Sequence, residues 1–393
     1  MLLYSDYTLN KMNLGTDYSV DFPYKKRIYL NNASTSRMPR VSLEAMNEFL
    51  IKYNEYGPDS ESSDSFVRER LSNLRKEISQ LIKCKPEEVV FTQSVTDGIN
   101  FVSNGFKFKP KANFIIRGSN HEHPANHYPW IRTGQKAELR NLSVDENGNF
   151  ELDSLMKMID KDTQLVVLSH ALFNTGSILP VEEIGNILSE KNISYCIDAA
   201  QTVGCVNNVD VNKIKCNFMS FNGSKWLCGP MGMGIFFCRQ NSSELIDPLQ
   251  VGGECAIFHE NKIVYKEIPA KFQAGFRNWV GVAGLEASVN YLFKTGIERI
   301  RKKNIKLANL MREELSKIEG VTLYGPQEET KRTSIVSFAI KNVDPSMVVK
   351  RLEIKNMILA VREIFSKKII RASPHFFNTE SEILQVIDAL KQN

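Results

Sequence analysis

Between residues 88 and 239 the chain repeats one alternation, and that alternation limits the fold more than any other feature. Apolar, β-branched runs occur at EVVFT (88–92), ANFIIRG (112–118), QLVVLSH (164–170), ISYCIDAA (193–200), CNFMSF (216–221) and GIFFCR (234–239). Each has the length of a strand and stays mostly apolar through its interior. Helical patterns lie between them: DGINFVSNGF from residue 97, ELDSLMKMI from 151 and VEEIGNILSEKN from 181. Pro180 and the two glutamates after it mark the start of the last of these. Apolar runs alternating with helices imply a mostly parallel sheet covered on both faces, hence an α/β fold.

The last third reads differently. A long helical pattern from Val282 to Ile318 is broken near Gly296. SIVSFAI (334–340), a helix near 345–356, KIIRAS (368–373) and a helix from Thr379 follow, which together read as α+β. With 393 residues, 42% of them apolar, the chain exceeds the usual single domain. The expected division is an N-terminal arm (1–25), a large domain (26–275) and a small C-terminal α+β domain (276–393).

Composition narrows the function. No apolar run is long enough for a transmembrane helix. The start, MLLYSDYTLNKMN, lacks the basic-then-apolar order of a secretory signal. Net charge is +5 with interspersed signs, and the densest basic run, RIRKKNIK (299–306), reads as a solvated helix face and not a nucleic-acid patch. Seven cysteines without a CxxC pair suggest free thiols in a reducing cytoplasm and no structural metal. The expectation is a cytoplasmic protein with neither nucleic acid nor membrane as partner.

In parallel sheets, ligands bind beyond the carboxyl ends of the strands. After EVVFT come Ser94, Val95 and Thr96 at a helix start, which suits a phosphate or is an ordinary N-cap. After ANFIIRG come His121, His123 and His127, open to ring stacking or to an ordinary loop role. Asp198 ends ISYCID, where a buried carboxylate needs a partner or serves as a cap. After CNFMSF come Asn222, Ser224 and Lys225, followed by Gly229, Gly232 and Gly234. A buried lysine is costly unless it snorkels or is engaged chemically as an imine. A phosphate anchor, a stacking ring, an acid and a reactive lysine at neighbouring strand ends suit one cofactor, pyridoxal 5′-phosphate.

With these motifs on one chain, the sequence resembles the class V aminotransferase family of fold-type I pyridoxal phosphate enzymes. That family includes cysteine desulfurases, selenocysteine lyases, kynureninases and isopenicillin epimerase-like proteins. The resemblance runs from IYLNNAS (28–34) to RASPHFFNTESEI (371–383). It implies that Ser94, Val95 and Thr96 hold the cofactor phosphate, with Asn222 and Ser224 beside them. His123 would stack on the pyridine ring, Asp198 would partner its nitrogen and Gln201 would lie near its phenolic oxygen. Lys225 in NGSKWLCGP would be the Schiff-base lysine and general base. Arg371 would hold the substrate α-carboxylate, with Ala33 and Asn174 as further substrate contacts, Asn174 standing one position from the family's usual asparagine.

The chain also departs from the cysteine desulfurases it resembles. ILAVREIFSKKIIRAS (358–373) has no cysteine where they carry a mobile loop with a nucleophilic one. EYGPDSESSDSF lacks the histidine of their RGxH segment, and Ser224 replaces the histidine before the lysine. Phe276 replaces a threonine that reaches the neighbouring subunit's phosphate. Cys255 and Cys228 are the candidates to replace the missing cysteine, and Arg362, within the segment that lacks it, is open to contact with a substrate acid group or to solvent alone. The reading is therefore desulfurase-like or C–S lyase chemistry without the loop cysteine. An aminotransferase or epimerase is the alternative, and a non-catalytic sulfur-transfer or binding protein the remote one. A small amino-acid substrate, a homodimer and a sulfur-acceptor protein are the partners that this reading brings.

Overall fold

The computed structural model describes residues 18, 20–24, 26–118, 122–145, 148–206, 208–275 and 277–392. Most of the expected arm, together with His121 and Phe276, lies outside them. Among the described residues no helix is long and apolar enough to cross a membrane.

Seven strands form the main sheet: β1 (Val89–Thr92), β2 (Asn113–Arg117), β3 (Glu138–Leu142), β4 (Thr163–Ser169), β5 (Ser194–Asp198), β6 (Phe218–Asn222) and β7 (Gly234–Cys238). Their order is β1-β7-β6-β5-β4-β2-β3. β2 runs parallel to β3 and β4, β4 to β5, and β5 to β6, while β7 is antiparallel to both its neighbours. The sheet is thus mostly parallel, as the alternation required.

Consecutive residues of each strand point to opposite faces, and both faces are packed. Ile115, Val166, Leu168, Tyr195, Ile197, Met219 and Phe221 enter one buried cluster. Phe114, Ile116, Leu165, Val167, Cys196, Phe218 and Phe236 enter the other. Burying such a side chain contributes roughly 1.5–3 kcal/mol, which is why an alternating polar residue is not tolerated in these strands. β3 was not expected: it is a half-exposed edge strand, ELRNL, whose Arg140 pairs with Glu138 and Asp160.

Helices α1 (Arg40–Tyr56) and α2 (Glu61–Ile82) pack on Trp279–Thr295, and α3 (Val95–Gly105) follows β1 directly. α3 crosses β6 closely because residue 98 is glycine: a Cβ there would stand 2.4 Å from Ser220 Oγ. The basic run 299–306 lies on the helix Ile297–Ser316.

A second sheet is antiparallel throughout: β8 (Val321–Tyr324), β9 (Val336–Ile340), β10 (Ala360–Ile364) and β11 (Lys367–Ala372), in the order β8-β9-β11-β10. β10 and β11 are joined by two residues only, Phe365 and Ser366, both with positive φ (44° and 65°). The segment expected to correspond to a mobile loop is therefore a tight hairpin. Its own apolar cluster includes Leu307, Met311, Phe338, Ile370 and Ile387. Tyr18 and Phe22 lie against Phe376 and Phe377, with Phe22 stacked on Phe377 at 4.3 Å.

The segment from Ile28 to Ser36 links the two sheets. Ile28–Tyr29 pairs in parallel with Met357–Ile358, and Asn31 bridges Ser373. A few residues on, Ser36 N–H donates to the Ser224 carbonyl at 2.7 Å.

Candidate active site

A cavity of about 280 Å³ lies at the carboxyl ends of the parallel strands. Its walls come from α3, the ends of β4, β5 and β6, the segment through Ala33 and Ser34, and the β10–β11 hairpin.

The α3 end is built by a capping box. Ser94 Oγ accepts the Asp97 N–H at 3.2 Å, and Asp97 Oδ2 accepts the Ser94 and Gln93 N–H groups at 3.0 and 2.9 Å. The N-cap reading of Ser94 is therefore correct, and it leaves the anion reading intact. Val95 and Thr96 line the cavity with N–H groups that have no intrahelical carbonyl to meet. The positive end of the helix dipole points the same way. This turn passes so close to β7 that a Cβ on Gly234 would stand 2.6 Å from the Ser94 backbone. Gly234→Ala should push Ser94 and weaken cofactor affinity by roughly tenfold or more, the scale of an overpacking strain. A cofactor titration of the stripped variant checks this, and unchanged affinity would remove Gly234 from the account.

Asp198 ends β5 opposite Ser169 of β4. It is buried, and Oδ1 accepts the Ala200 N–H at 2.9 Å. Burial raises its pKa to about 6, opposed by that N–H and by Lys225, and aided by the charge of Glu122. Lys225 lies on the return from β6 to β7, which explains its place between two apolar strands. Burial lowers its pKa to about 8; Asp198 opposes this, while Arg371 and Arg362 add to it. The two groups are each other's counter-charge.

Arg371 is 1% exposed. Its Nη1 donates to the Phe173 carbonyl at 2.7 Å, and its Nη2 to Ser34 Oγ at 2.7 Å and Asn31 Oδ1 at 3.2 Å. The buried Nε has no partner among the described residues. Gln201 lines the cavity with its amide already engaged: Oε1 accepts Trp226 Nε1–H at 2.9 Å and Nε2 donates to the Ala33 carbonyl at 3.0 Å. His123 stands at the mouth, exposed as a residue, with its ring edge-on to Phe173 at 5.1 Å. Its Nδ1 accepts the Ala125 N–H at 3.2 Å, which fixes the tautomer. Packing of the ring, then the charges of Lys225, Arg362 and Arg371, push its pKa down to about 4, so the imidazole is neutral.

The cavity thus brings together Ala33, Ser94, Val95, Thr96, His123, Asp198, Gln201, Asn222, Lys225 and Arg371. Two expected residues stand apart. Asn174 is fully buried with Nδ2 bound to the Glu363 carbonyl and Oδ1 accepting the Thr175 N–H, so it clamps the hairpin and its neighbour Phe173 lines the cavity instead. Ser224 lies behind Lys225, its carbonyl holding Ser36. Nor does Cys255 or Cys228 line the cavity. Cys255 Sγ donates to the Gly252 carbonyl at 3.3 Å, and Cys228, beside Ser36, has its thiol pushed up to about 12 by burial. Ser34 and Ser169 were missed, although Ser169 is the last residue of β4 and the strand-end rule points to it. The buried pair Arg117–Glu122, at 2.8 Å, supports the same wall through the Ser169 hydroxyl, which donates to Glu122 at 2.5 Å.

The donor set fits pyridoxal 5′-phosphate. A buried carboxylate that accepts one protein hydrogen bond among the described residues suits a protonated ring nitrogen. A helix N-terminus suits the phosphate. Asn222, at the end of β6, has a buried Oδ1 without a partner among the described residues, an acceptor left open for a donor on a ligand.

The family model described as aminotransferase class-V matches residues 28–386. A probable cysteine desulfurase of Methanothermobacter thermautotrophicus is 31% identical over 395 residues, covering 96% of this chain and 97% of that one. One of Pyrococcus abyssi is 29% identical over 396 residues, covering 97% and 98%. The apo structure of a cysteine desulfurase from Thermococcus onnurineus NA1 superposes with a TM-score of 0.89 at 28% identity, over 97% of this chain and 98% of that one.

Proposed function

The chain belongs to the class V aminotransferase family, and from that premise we propose that it removes the β-sulfur group of cysteine or a cysteine derivative, as a desulfurase-like or C–S lyase enzyme. It is an enzyme, and its cofactor is pyridoxal 5′-phosphate. The observation that carries the reading is the convergence of Lys225, Asp198, the α3 N-terminus and Arg371 on one cavity. The relatives named cysteine desulfurase support the sulfur chemistry.

When bound, pyridoxal 5′-phosphate supplies an electron sink for the carbanion formed at the substrate Cα. The residues do the rest. The Val95 and Thr96 N–H groups would hold its phosphate at the helix end. The Asp198 carboxylate would accept a hydrogen bond from the protonated ring nitrogen and keep the proton there. Arg371 binds the α-carboxylate and orients Cα toward Lys225. The Lys225 amine, with its pKa near 8, takes the Cα proton and is well matched to neutral pH. Neutral His123, at the mouth of the cavity, would stack on the ring.

No cysteine among the described residues lines the cavity, which favours elimination of the sulfur group over transfer to an enzyme thiol. We also propose a homodimer, because the hairpin Ala256–Tyr265 exposes Ile257, Phe258, Ile263 and Val264. The division into arm, large domain and small domain, with the two sheets in separate domains, belongs to the same proposal.

Incubation of the holoenzyme with L-cysteine, L-cystine and neutral amino acids decides the reaction. Sulfide from L-cysteine, or cysteine persulfide from L-cystine, released with pyruvate and ammonia is the expected result, whereas alanine would mark transfer of the sulfur to a thiol acceptor. A keto-acid-dependent new amino acid without sulfur release would instead establish the aminotransferase alternative, and inversion at Cα the epimerase.

A further inference from the structure

A buried glutamate stands behind the cavity wall, and the proposed chemistry does not use it. Glu122 lies between β2 and His123 and is 6% exposed. Three donors converge on its carboxylate. Arg117 Nε reaches Oε1 at 2.8 Å, while Ser169 Oγ and Asn126 Nδ2 reach Oε2 at 2.5 and 3.3 Å. Arg117 is fully buried and also holds the Gly148 carbonyl through Nη1 at 2.6 Å. Asn126 is fixed in turn by Trp130 Nε1–H, which donates to its Oδ1 at 3.1 Å. Apolar side chains of similar volume often stabilise such a spot as well as a buried ion pair does. What the pair adds here is a fixed geometry and a charge.

Ser169 carries that geometry into the cavity. It ends β4 in register with Asp198, the last residue of β5, and it lines the cavity. Neighbours in register on adjacent strands point to the same face. A serine hydroxyl has one proton to donate. Glu122 takes it, so Ser169 Oγ turns only lone pairs toward the cavity. Asp198 is the one carboxylate among the described residues lining that cavity. A hydroxyl donating to it would favour its charged form and compete with the ring nitrogen for its lone pairs. As the site stands, the hydrogen bond that Asp198 accepts from the protein is the Ala200 N–H at 2.9 Å. Two charges face Asp198: Lys225 from the β6–β7 return, as an opposite charge, and Glu122 from the segment after β2, as a like charge. Arg362 and Arg371 on the hairpin and neutral His123 line the same cavity.

We propose that Glu122 is a positioning residue: anchored by Arg117, it holds the Ser169 hydroxyl away from Asp198, so that Asp198 keeps its full proton affinity for the cofactor's ring nitrogen. The like charge of Glu122 works in the same direction, because an anion near Asp198 favours a proton at that corner. This inference rests on the proposed function and names what tunes its electron sink.

The test reads the Asp198 carboxyl by NMR titration of the full-length, cofactor-free protein with isotope-labelled aspartate. It also reads the ring nitrogen of isotope-labelled pyridoxal 5′-phosphate in the holoenzyme. Glu122→Gln removes the charge and releases the hydroxyl, so Asp198 should titrate lower by roughly one pH unit. The ring-nitrogen signal should move toward its unprotonated position. Ser169→Ala deletes the hydroxyl and keeps the carboxylate, and should leave Asp198 near its parent value. Glu122→Gln with Ser169→Ala should recover part of the shift. Should Glu122→Gln fail to fold, Glu122→Asp, which keeps the charge beside Arg117 and shortens the reach to Ser169, carries the same comparison with a smaller shift. Either signal unchanged in the folded Glu122 variant overturns the inference. So does a shift that is equal with and without the Ser169 hydroxyl, since charge alone would then account for it. The carboxyl titration needs no bound cofactor, so failure there leaves the proposed function standing; a parent protein that takes up no cofactor fails the proposed function itself.

Discussion

Lys225→Ala should lower turnover by about 10³-fold or more on every substrate that the enzyme accepts. General acid–base catalysis alone supplies typically 10²–10⁴-fold, and the same amine also anchors the cofactor. The fold should persist, because the side chain is half-buried at a cavity wall and belongs to none of the apolar clusters that pack the two sheets. The variant should still bind the cofactor through the α3 end and Asp198, more weakly. It also leaves Asp198 without its nearest cation, so the Asp198 carboxyl should titrate higher than in the parent protein. Circular dichroism separates a catalytic loss from unfolding. Turnover within tenfold of the parent in a folded variant would contradict the role of Lys225.

Asp198→Asn should produce opposite effects on activity and on stability. Asparagine keeps the size and the oxygen that accepts the Ala200 N–H, and it removes the charge. A neutral amide does not keep the ring nitrogen protonated, so turnover should fall by roughly 10²–10⁴-fold, on the scale of lost electrostatic stabilisation. The cofactor-free protein should gain stability near neutral pH. Burial raises the Asp198 carboxyl from 3.8 to about 6 in the folded chain. A raised carboxyl pKa means the folded state holds its proton more tightly than the unfolded state. Stability from this group is complete below the unfolded value and is lost as pH rises toward about 6. At pH 7 the loss is about 3 kcal/mol, reduced in the variant because Lys225 loses its counter-ion. The stability advantage of Asp198→Asn should therefore grow between pH 4 and pH 6 and level off above. Denaturant unfolding of the two cofactor-free proteins across that range measures it, and a difference that does not vary with pH would refute the buried-carboxylate account.

Such a trade is common where a site is built for chemistry and not for packing. It also explains how much of this protein the sequence displayed. The strands β1, β2, β4, β5, β6 and β7 were legible because a strand buried on both faces must be apolar along its length, and each chemically loaded residue stands out against that run. Asp198 after SYCI and Lys225 after the FMSFN strand are the clearest cases. β3 was hidden for the same reason in reverse. An edge strand with one open side tolerates Glu138, Arg140 and Asn141, and a polar five-residue segment carries no signal of its own.

The β10–β11 hairpin was hidden by its turn. Two-residue turns with positive φ are usually written with Asn or Gly, and this one uses Phe365 and Ser366 inside an apolar stretch. The absence of a cysteine there was visible in the sequence; the rigid strand that places Arg362 beside Arg371 was not. Asn174 failed as a site residue because one position along a loop decides whether a side chain faces the cavity or the hairpin behind it. The Arg117–Glu122 pair was invisible because nothing in a sequence says that a strand-end arginine folds back onto a loop glutamate. Charges become functional or structural according to what is packed around them, and only the fold supplies that.

The central claim is that Lys225 carries the cofactor. The direct measurement is borohydride reduction of the holoenzyme, followed by proteolysis and mass spectrometry of the peptides. The account predicts a reduced pyridoxal phosphate adduct on the Lys225 nitrogen in the NGSKWLCGP segment, with loss of the yellow colour and of activity in the same proportion. An adduct on a different lysine, or a folded protein that takes up no cofactor, would contradict it.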